Sequence, residues 1–538
     1  MSPFGAVPLG YIVLGLSFAS VLLAVVGTWP VCALLLRAYR RRIGRGMRSS
    51  SSCGVEPPGS PAPTPAHAAT RIKFREADGG RWQPTLELAR RRARRMQVLF
   101  CLAGLAYAVT ATAAFYIVDH KEWRALRALA YIGLFGWPLV PTLLALSLAR
   151  ARVRWMAYAV HLAVVLLLLA LAGLDGGEVV VVMVIPGVFV LALGARPLRG
   201  AAWLVAPGLV VLGLAIAALY VAGVYLAVGA TFDVYAWSFL AAGLGLVVLL
   251  AAYTWLVART YAAKWASDQT LLILQWWLVT SMCWSLLLGT QGMRAALLGL
   301  ASYGVLVLFL VVGALVGRPA ADTPVRLLLL RTFGARQRSS RLLYDLTRQW
   351  RWIGSVELIT GTDLASEILE PDEFLDFLLG RTSRQFVQDP ASLPTRLEEL
   401  DLRPDRDGRY RVNELLCTED TWRPAVEKLI EDVDVVLIDL RGLTMDHQGV
   451  VHELELLVAT MPLRQVVALV DATTDQQALQ WALDRASSLA PPSSPLWRDP
   501  APELGVVVVS LGGSVDPEAL MSALAQAAPS ARRADAEH

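Results

Sequence analysis

The residues of this chain with the types and spacing for chemistry fall within 432–459, DVDVVLIDLRGLTMDHQGVVHELELLVA. The apolar, β-branched run 435–438 predicts a buried parallel strand. Asp439, Arg441 and Gly442 stand where that strand should end. Val450, Val451, Leu454, Leu457 and Val458 then recur at helical spacing. Glu453 lies about 60° from Val450 on that helix, at the edge of its apolar face, at ~100° per residue. A carboxylate there can look into the crevice above the strand ends, where open α/β sheets bind their ligands.

The elements around this unit repeat the same alternation. The run 325–330 predicts a first strand, followed by Arg331, Thr332 and Phe333. Ser339 or Ser340 caps a helix reaching Trp352, and Gly354 closes it. The run 356–360 is a second strand, with Gly361, Thr362 and Asp363 beyond its end. A helix over 371–379 follows, and 381–420 reads as an insertion. Trp422, Ala425, Val426, Leu429 and Ile430 make an amphipathic helix leading into the strand 435–438. The next strands are 465–470, ending at Asp471, and 505–511, followed by Gly512, Gly513 and Ser514. Thr473 and Gln476 form a capping-box pattern between them, and Asp516 with Pro517 opens a last helix. This pattern predicts a doubly wound, mostly parallel sheet of about five strands, flavodoxin-like in kind. The domain spans 325–527, with a disordered tail at 528–538. Arg331, Thr332, Gly361, Asp439, Arg441 and Gly442 are the candidate nucleotide-binding residues, and Glu453 is the candidate catalytic group.

Ahead of this domain the chain is oily. Of its 538 residues, 55% are hydrophobic and 17% charged, and its mean hydropathy of +0.50 excludes an ordinary soluble protein. Nine apolar segments reach the ~20 residues needed to cross a bilayer. They are 8–36, 96–118, 128–149, 156–173, 178–194, 201–227, 236–258, 270–290 and 295–317. The first is a transmembrane helix over 1–36, not a cleaved signal, because no Lys or Arg precedes it. A Pro/Ser-rich and basic cytoplasmic loop covers 37–95, with 49–70 disordered and 86–95 a short basic helix or plain flanking charge. The eight-helix membrane domain is 96–317, and 318–324 is a linker. The runs RAYRRRIGRGMR and Arg90 to Arg95 hold their sides of the bilayer in the cytoplasm. An outside N-terminus and nine crossings leave the C-terminal domain cytoplasmic, at the inner membrane. The basic residues flank apolar spans, so nucleic-acid binding is not inferred.

Familiar catalytic signatures are missing: no GxxxxGKS, no strand-borne GxGxxG, no HExxH, no GxSxG. The five cysteines form no CxxC pair and imply neither a disulfide framework nor a zinc site. In DLRPDRDGRYRVNE, Asp405, Asp407, Gly408 and Glu414 match four positions of an EF-hand loop, yet Arg403 takes the place of the first ligand. A hairpin turning at Asp407-Gly408 is the better account, and no metal is expected.

From Val325 onward the order of elements resembles a TIR-type domain. That family carries a Trp-Cys-x-x-Glu-Leu motif on the helix after its central strand, and here Gly449-Val450-Val451-His452-Glu453-Leu454 fits at the Glu-Leu pair. The domain also resembles an uncharacterised group of bacterial multi-pass membrane proteins that join "LLR-x-F" to "DLRG…G…EL". The resemblance implies a signalling or interaction module that binds NAD or another nucleotide and self-associates. It implies, as an alternative, an enzyme that cleaves NAD with Glu453 beside the ribose. A second alternative is a transporter with a cytoplasmic regulatory domain, although His161 is the one titratable residue well inside a span.

Overall fold

The structure, a computed structural model, describes residues 29–45, 72–76, 84–119, 123–148, 151–171, 251–289, 293–316, 324–331, 336–360, 369–387, 389–418, 420–499, 501–509 and 515–528. It also describes isolated positions at 27, 47 and between 173 and 248. The chain forms two compact units. One comprises 1–38, 93–319 and 369–375, and the other 39–92, 320–368 and 376–538.

The first unit is helical. Its described helices include Ala125–Phe135, Leu139–Leu146, Ala151–Leu171, Asp268–Gly289 and Met293–Val316, along with most of Pro84–Asp119. Among the described residues two stretches, Leu86–Val118 and Leu297–Val316, are long and apolar enough to cross a membrane. The pair Ala125–Phe135 and Leu139–Leu146, bent by 45°, makes a third if the two helices form one span. The segment 128–149 is therefore a broken helix rather than one straight span, because Pro138 cannot donate to the helical ladder. Aromatic side chains fill the interior. Tyr107 meets Trp277 at 4.9 Å and Phe135 meets Trp284 at 4.5 Å between ring centres. Trp277 Nε1 donates to Thr142 Oγ1 at 3.1 Å, and Gln269 Nε2 donates to the Ala145 carbonyl at 2.7 Å. Such bonds tie helices together where apolar contact alone gives little preference over lipid. The segments expected at 178–194 and 201–227, and most of 8–36 and 236–258, lie outside the described residues.

The second unit is built on one sheet of eight strands, all parallel. They are β1 Lys73–Glu76, β2 Leu327–Arg331, β3 Val356–Thr360, β4 Phe386–Val387, β5 Val412–Cys417, β6 Val435–Asp439, β7 Val466–Asp471 and β8 Glu503–Val509. Their order across the sheet is β1-β8-β7-β6-β2-β3-β5-β4. The expected count of about five is too low. The five foreseen strands are β2, β3, β6, β7 and β8. Strands β4 and β5 arise inside 381–420, which is thus part of the sheet and not an insertion. Strand β1 comes from the stretch expected to be a loop.

Strands β2, β3, β5 and β6 are buried along their whole length, as central strands covered on both faces must be. The chain moves from β2 to β3 in one direction and from β6 through β7 to β8 in the other. Right-handed crossovers then put the intervening helices on opposite faces. Accordingly, helix Arg336–Trp350 packs with Pro517–Ala527, while Trp422–Asp432, Gln448–Thr460 and Gln476–Leu489 pack in a row. An extensive apolar core lies under that row, joining Leu328, Leu330, Val436 and Ile438 to Leu429, Leu454, Leu457 and Leu483.

Several local expectations are corrected. Asp475, not Thr473, caps helix Gln476–Leu489, accepting from the Gln477 and Ala478 backbone N–H groups. Residues 37–45, expected in a loop, are helical, and 84–95 is helical as the basic-helix reading of 86–95 had it. A tight turn does sit at Asp405–Gly408, with Gly408 at φ +87°, but no antiparallel hairpin surrounds it. The strand it feeds, β5, runs parallel to β3 and β4. The Asp405 carboxylate faces Arg411 Nη2 at 3.0 Å, which fills the place a cation would need. Gly354 is required by close approach: a Cβ there would lie 1.8 Å from the Val325 carbonyl oxygen.

Candidate functional site

The reversal of direction makes β2 and β6 the topological switch point of the sheet. Ligands of open α/β sheets bind at that place, outside the strand C-termini. Arg331 ends β2 and Asp439 ends β6, and the two are direct register neighbours. Two residues on, Arg441 folds back onto Asp439 in a two-pronged ion pair, Nε to Oδ1 at 2.7 Å and Nη2 to Oδ2 at 2.6 Å. All three side chains are buried. The local reason is the turn: Gly442 takes φ +76°, which an L-residue rarely adopts, and the chain can then reverse right after Arg441. Leu443 N–H closes the turn on the Leu440 carbonyl at 3.1 Å.

Helix Gln448–Thr460 starts past this turn and carries Glu453, which is only 4% exposed. Its place at the edge of the apolar stripe thus turns out to be inside the unit. Burial pushes the Glu453 carboxyl up to about 8, and the Arg331 guanidinium opposes that shift. Its Oε2 is buried and has no hydrogen-bond partner among the described residues. A buried carboxyl oxygen with nothing to bond costs free energy that a folded protein normally avoids. At neutral pH the group is mainly the neutral acid, able to donate to or accept from a hydroxyl. A positive charge brought beside it would draw out its proton.

The neighbouring strand ends are polar as well. Asp471 ends β7, and its Oδ1 accepts from the Thr473 backbone N–H at 2.9 Å and from Thr473 Oγ1 at 2.5 Å. Thr474 Oγ1 ties that loop to the Leu440 carbonyl at 3.1 Å. Thr360, which ends β3, has a buried Oγ1 without a partner among the described residues. It is not among the candidates read from sequence; its signal there is a hydroxyl closing the run VELIT.

Of the candidates read from sequence, Arg331, Asp439, Arg441, Gly442 and Glu453 belong to the two strand ends and the helix at the switch point. Thr332, Gly361, Asp363 and 512–514 lie outside the described residues. Asp439 engages both its oxygens with Arg441, so an incoming hydroxyl would have to share them. Among the described residues no group of three or more His, Cys, Asp or Glu side chains is arranged to hold a metal ion. Compared with family models, with curated proteins and with solved structures, the chain matches none.

Proposed function

We propose that this chain is a multi-pass membrane protein whose α/β unit is a cytoplasmic, TIR-like signalling or interaction module that binds a nucleotide at the β2/β6 switch point. One observation carries the reading: a buried glutamate with an unfilled oxygen, next to a buried arginine, at the place where such sheets take ligands. A ribose hydroxyl would fill Oε2, and a phosphate would draw on the guanidinium of Arg331. Nine crossings with the N-terminus outside would put this unit on the cytoplasmic side, with the arginine-rich loops.

The charge response of Glu453 also favours an enzymatic reading, since a cationic nicotinamide ring brought beside it would draw out its proton and leave a carboxylate. In NAD cleavage the bond between nicotinamide nitrogen and the anomeric carbon breaks, positive charge develops on the ribose, and water completes the reaction to ADP-ribose. A carboxylate held beside the ribose would orient its hydroxyls and stabilise that charge.

Full-length protein in detergent should melt at higher temperature with NAD, ADP-ribose or ATP, and Arg331→Ala should remove the shift. Flat melting with all three would sink the nucleotide reading. Nicotinamide release from NAD, followed by chromatography and abolished in Glu453→Gln, would make the unit an enzyme. Binding without release leaves a sensor.

A further inference from the structure

We propose that a ladder of guanidinium groups on helix 29–45 and an arginine pair on helix Pro84–Asp119 bind the anionic phospholipid headgroups of the bilayer. Helix 29–45 buries Cys32, Leu36, Tyr39 and Ile43, a stripe of alternating four- and three-residue steps. Its opposite face is exposed and changes character along the axis. Trp29 and Leu34 come first, then Arg37, Arg41 and Arg45 at four-residue intervals. Successive guanidinium groups are therefore about 6 Å apart along one face. Arg37 and Arg41 make no side-chain hydrogen bond or ion pair among the described residues, and Arg45 reaches only the Arg41 carbonyl, at 3.4 Å. No Asp or Glu precedes Glu56 in the chain, so no acid on this helix can neutralise them.

Helix Pro84–Asp119 sets two adjacent arginines, Arg94 and Arg95, before an exposed apolar stripe, the reverse of the chain order on helix 29–45. Val98, Leu102, Leu105, Val109 and Ile117 are exposed along it. At 1.5 Å per residue this stripe is about 28 Å long, close to the ~30 Å of a hydrocarbon core. Arg94 and Arg95 are exposed one turn before Val98, at headgroup depth, and neither has a side-chain partner among the described residues. Exposed oil of bilayer length that ends in bare cations fits a lipid surface bearing phosphate. A protein partner would have no reason to match that length. The planar guanidinium can also grip phosphate oxygens in pairs.

The test is native mass spectrometry of the full-length protein offered equal phosphatidylglycerol and phosphatidylcholine. The wild type should retain phosphatidylglycerol about tenfold or more over phosphatidylcholine at about 50 mM salt. It should lose that preference by about 500 mM, where screening is short-ranged. The combined variant R37Q/R41Q/R45Q/R94Q/R95Q should show no preference, while R464Q/R498Q, which removes exposed arginines of the α/β unit, should keep it. Removing flanking charge can invert insertion, so the salt series on the wild type and an all-lysine variant, expected to retain the preference, stand independently. Equal uptake of both lipids at low salt overturns the proposal. So does inorganic tripolyphosphate binding that is lost in the combined variant while no lipid preference exists, which would assign these arginines to a soluble anion.

Discussion

Glu357 and Glu453 are both buried glutamates of the α/β unit, each in the field of an arginine at one end of β2. At the N-terminal end, Arg326 grips both oxygens of Glu357, at 2.8 and 3.0 Å. Arg326 also donates its backbone N–H to Asp434 Oδ2 at 2.9 Å. At the C-terminal end, Arg331 influences Glu453 electrostatically, yet Oε2 is left bare among the described residues. The chemistry is the same and the satisfaction is not. A saturated buried pair is what stability requires of a charge it cannot expose, because breaking it strands the partner. An unsaturated one lowers stability and reserves bonding capacity, as functional sites do. The turn at Asp405 belongs with the first kind: its carboxyl is pushed up to about 7 by burial and by Asp407, but Arg411 holds it.

This contrast can be broken in order of expected effect. Arg326→Ala should be the most damaging change, costing about 3–5 kcal/mol in chemical unfolding of the full chain, since Glu357 would be left buried with only the Ser355 hydroxyl, at 3.5 Å, to meet its charge. A loss under about 1 kcal/mol would erase the distinction between the two ends. Next comes Glu453→Gln. The folded-state value of Glu453 is raised, so its contribution is fully present below about 4.5 and is lost as pH rises through about 8. The wild type should therefore lose up to about 1.4 kcal/mol per pH unit across that window relative to Glu453→Gln. Parallel pH curves for the two proteins would show that the carboxyl is not shifted. Gly442→Ala should cost about 1–2 kcal/mol, because its backbone is left-handed. It should also weaken any ligand-induced melting shift, since the turn aims Arg441. Asp475→Ala should cost about 1 kcal/mol, the loss of one helix cap, and leave that shift untouched. If Asp475→Ala abolished the shift, saturation would not separate structural from functional groups at this end.

The site was more legible than the sheet. Arg331, Asp439 and Arg441 stand out because each is among the first polar residues after a wholly apolar run, and in a parallel sheet that is the ligand-facing edge. Glu453 could be placed on the edge of an apolar stripe by counting. That one of its oxygens has no partner depends on which neighbours reach it, and spacing carries no such information. The missing strands had weak signals for physical reasons. Lys73–Glu76 is KFRE, an edge strand with one apolar side chain. Phe386–Val387 is two residues long. Val412–Cys417 follows the charged turn RDGRYR, whose arginines find carboxylate or aromatic partners inside the unit, as with Arg411 on Asp405 and Arg409 over the Trp352 ring. In the helical unit, the bend between Ala125–Phe135 and Leu139–Leu146 falls at Gly136–Pro138, a Gly/Pro break that the sequence itself marks as a kink.

The edge pairing of β1 with β8 has a consequence for how the molecule is made. Lys73 is the register partner of Glu503, so the two edges meet across about 430 residues of chain. At a ribosomal pace of roughly 5–20 residues per second, the first strand emerges something like twenty to ninety seconds before its mate exists. Until then KFRE has no template, and until it docks the outermost valines of β8 present an open border to other chains. Biogenesis thus includes a stitch between two distant parts of the polypeptide, and a ribosome halted short of residue 503 leaves that stitch undone.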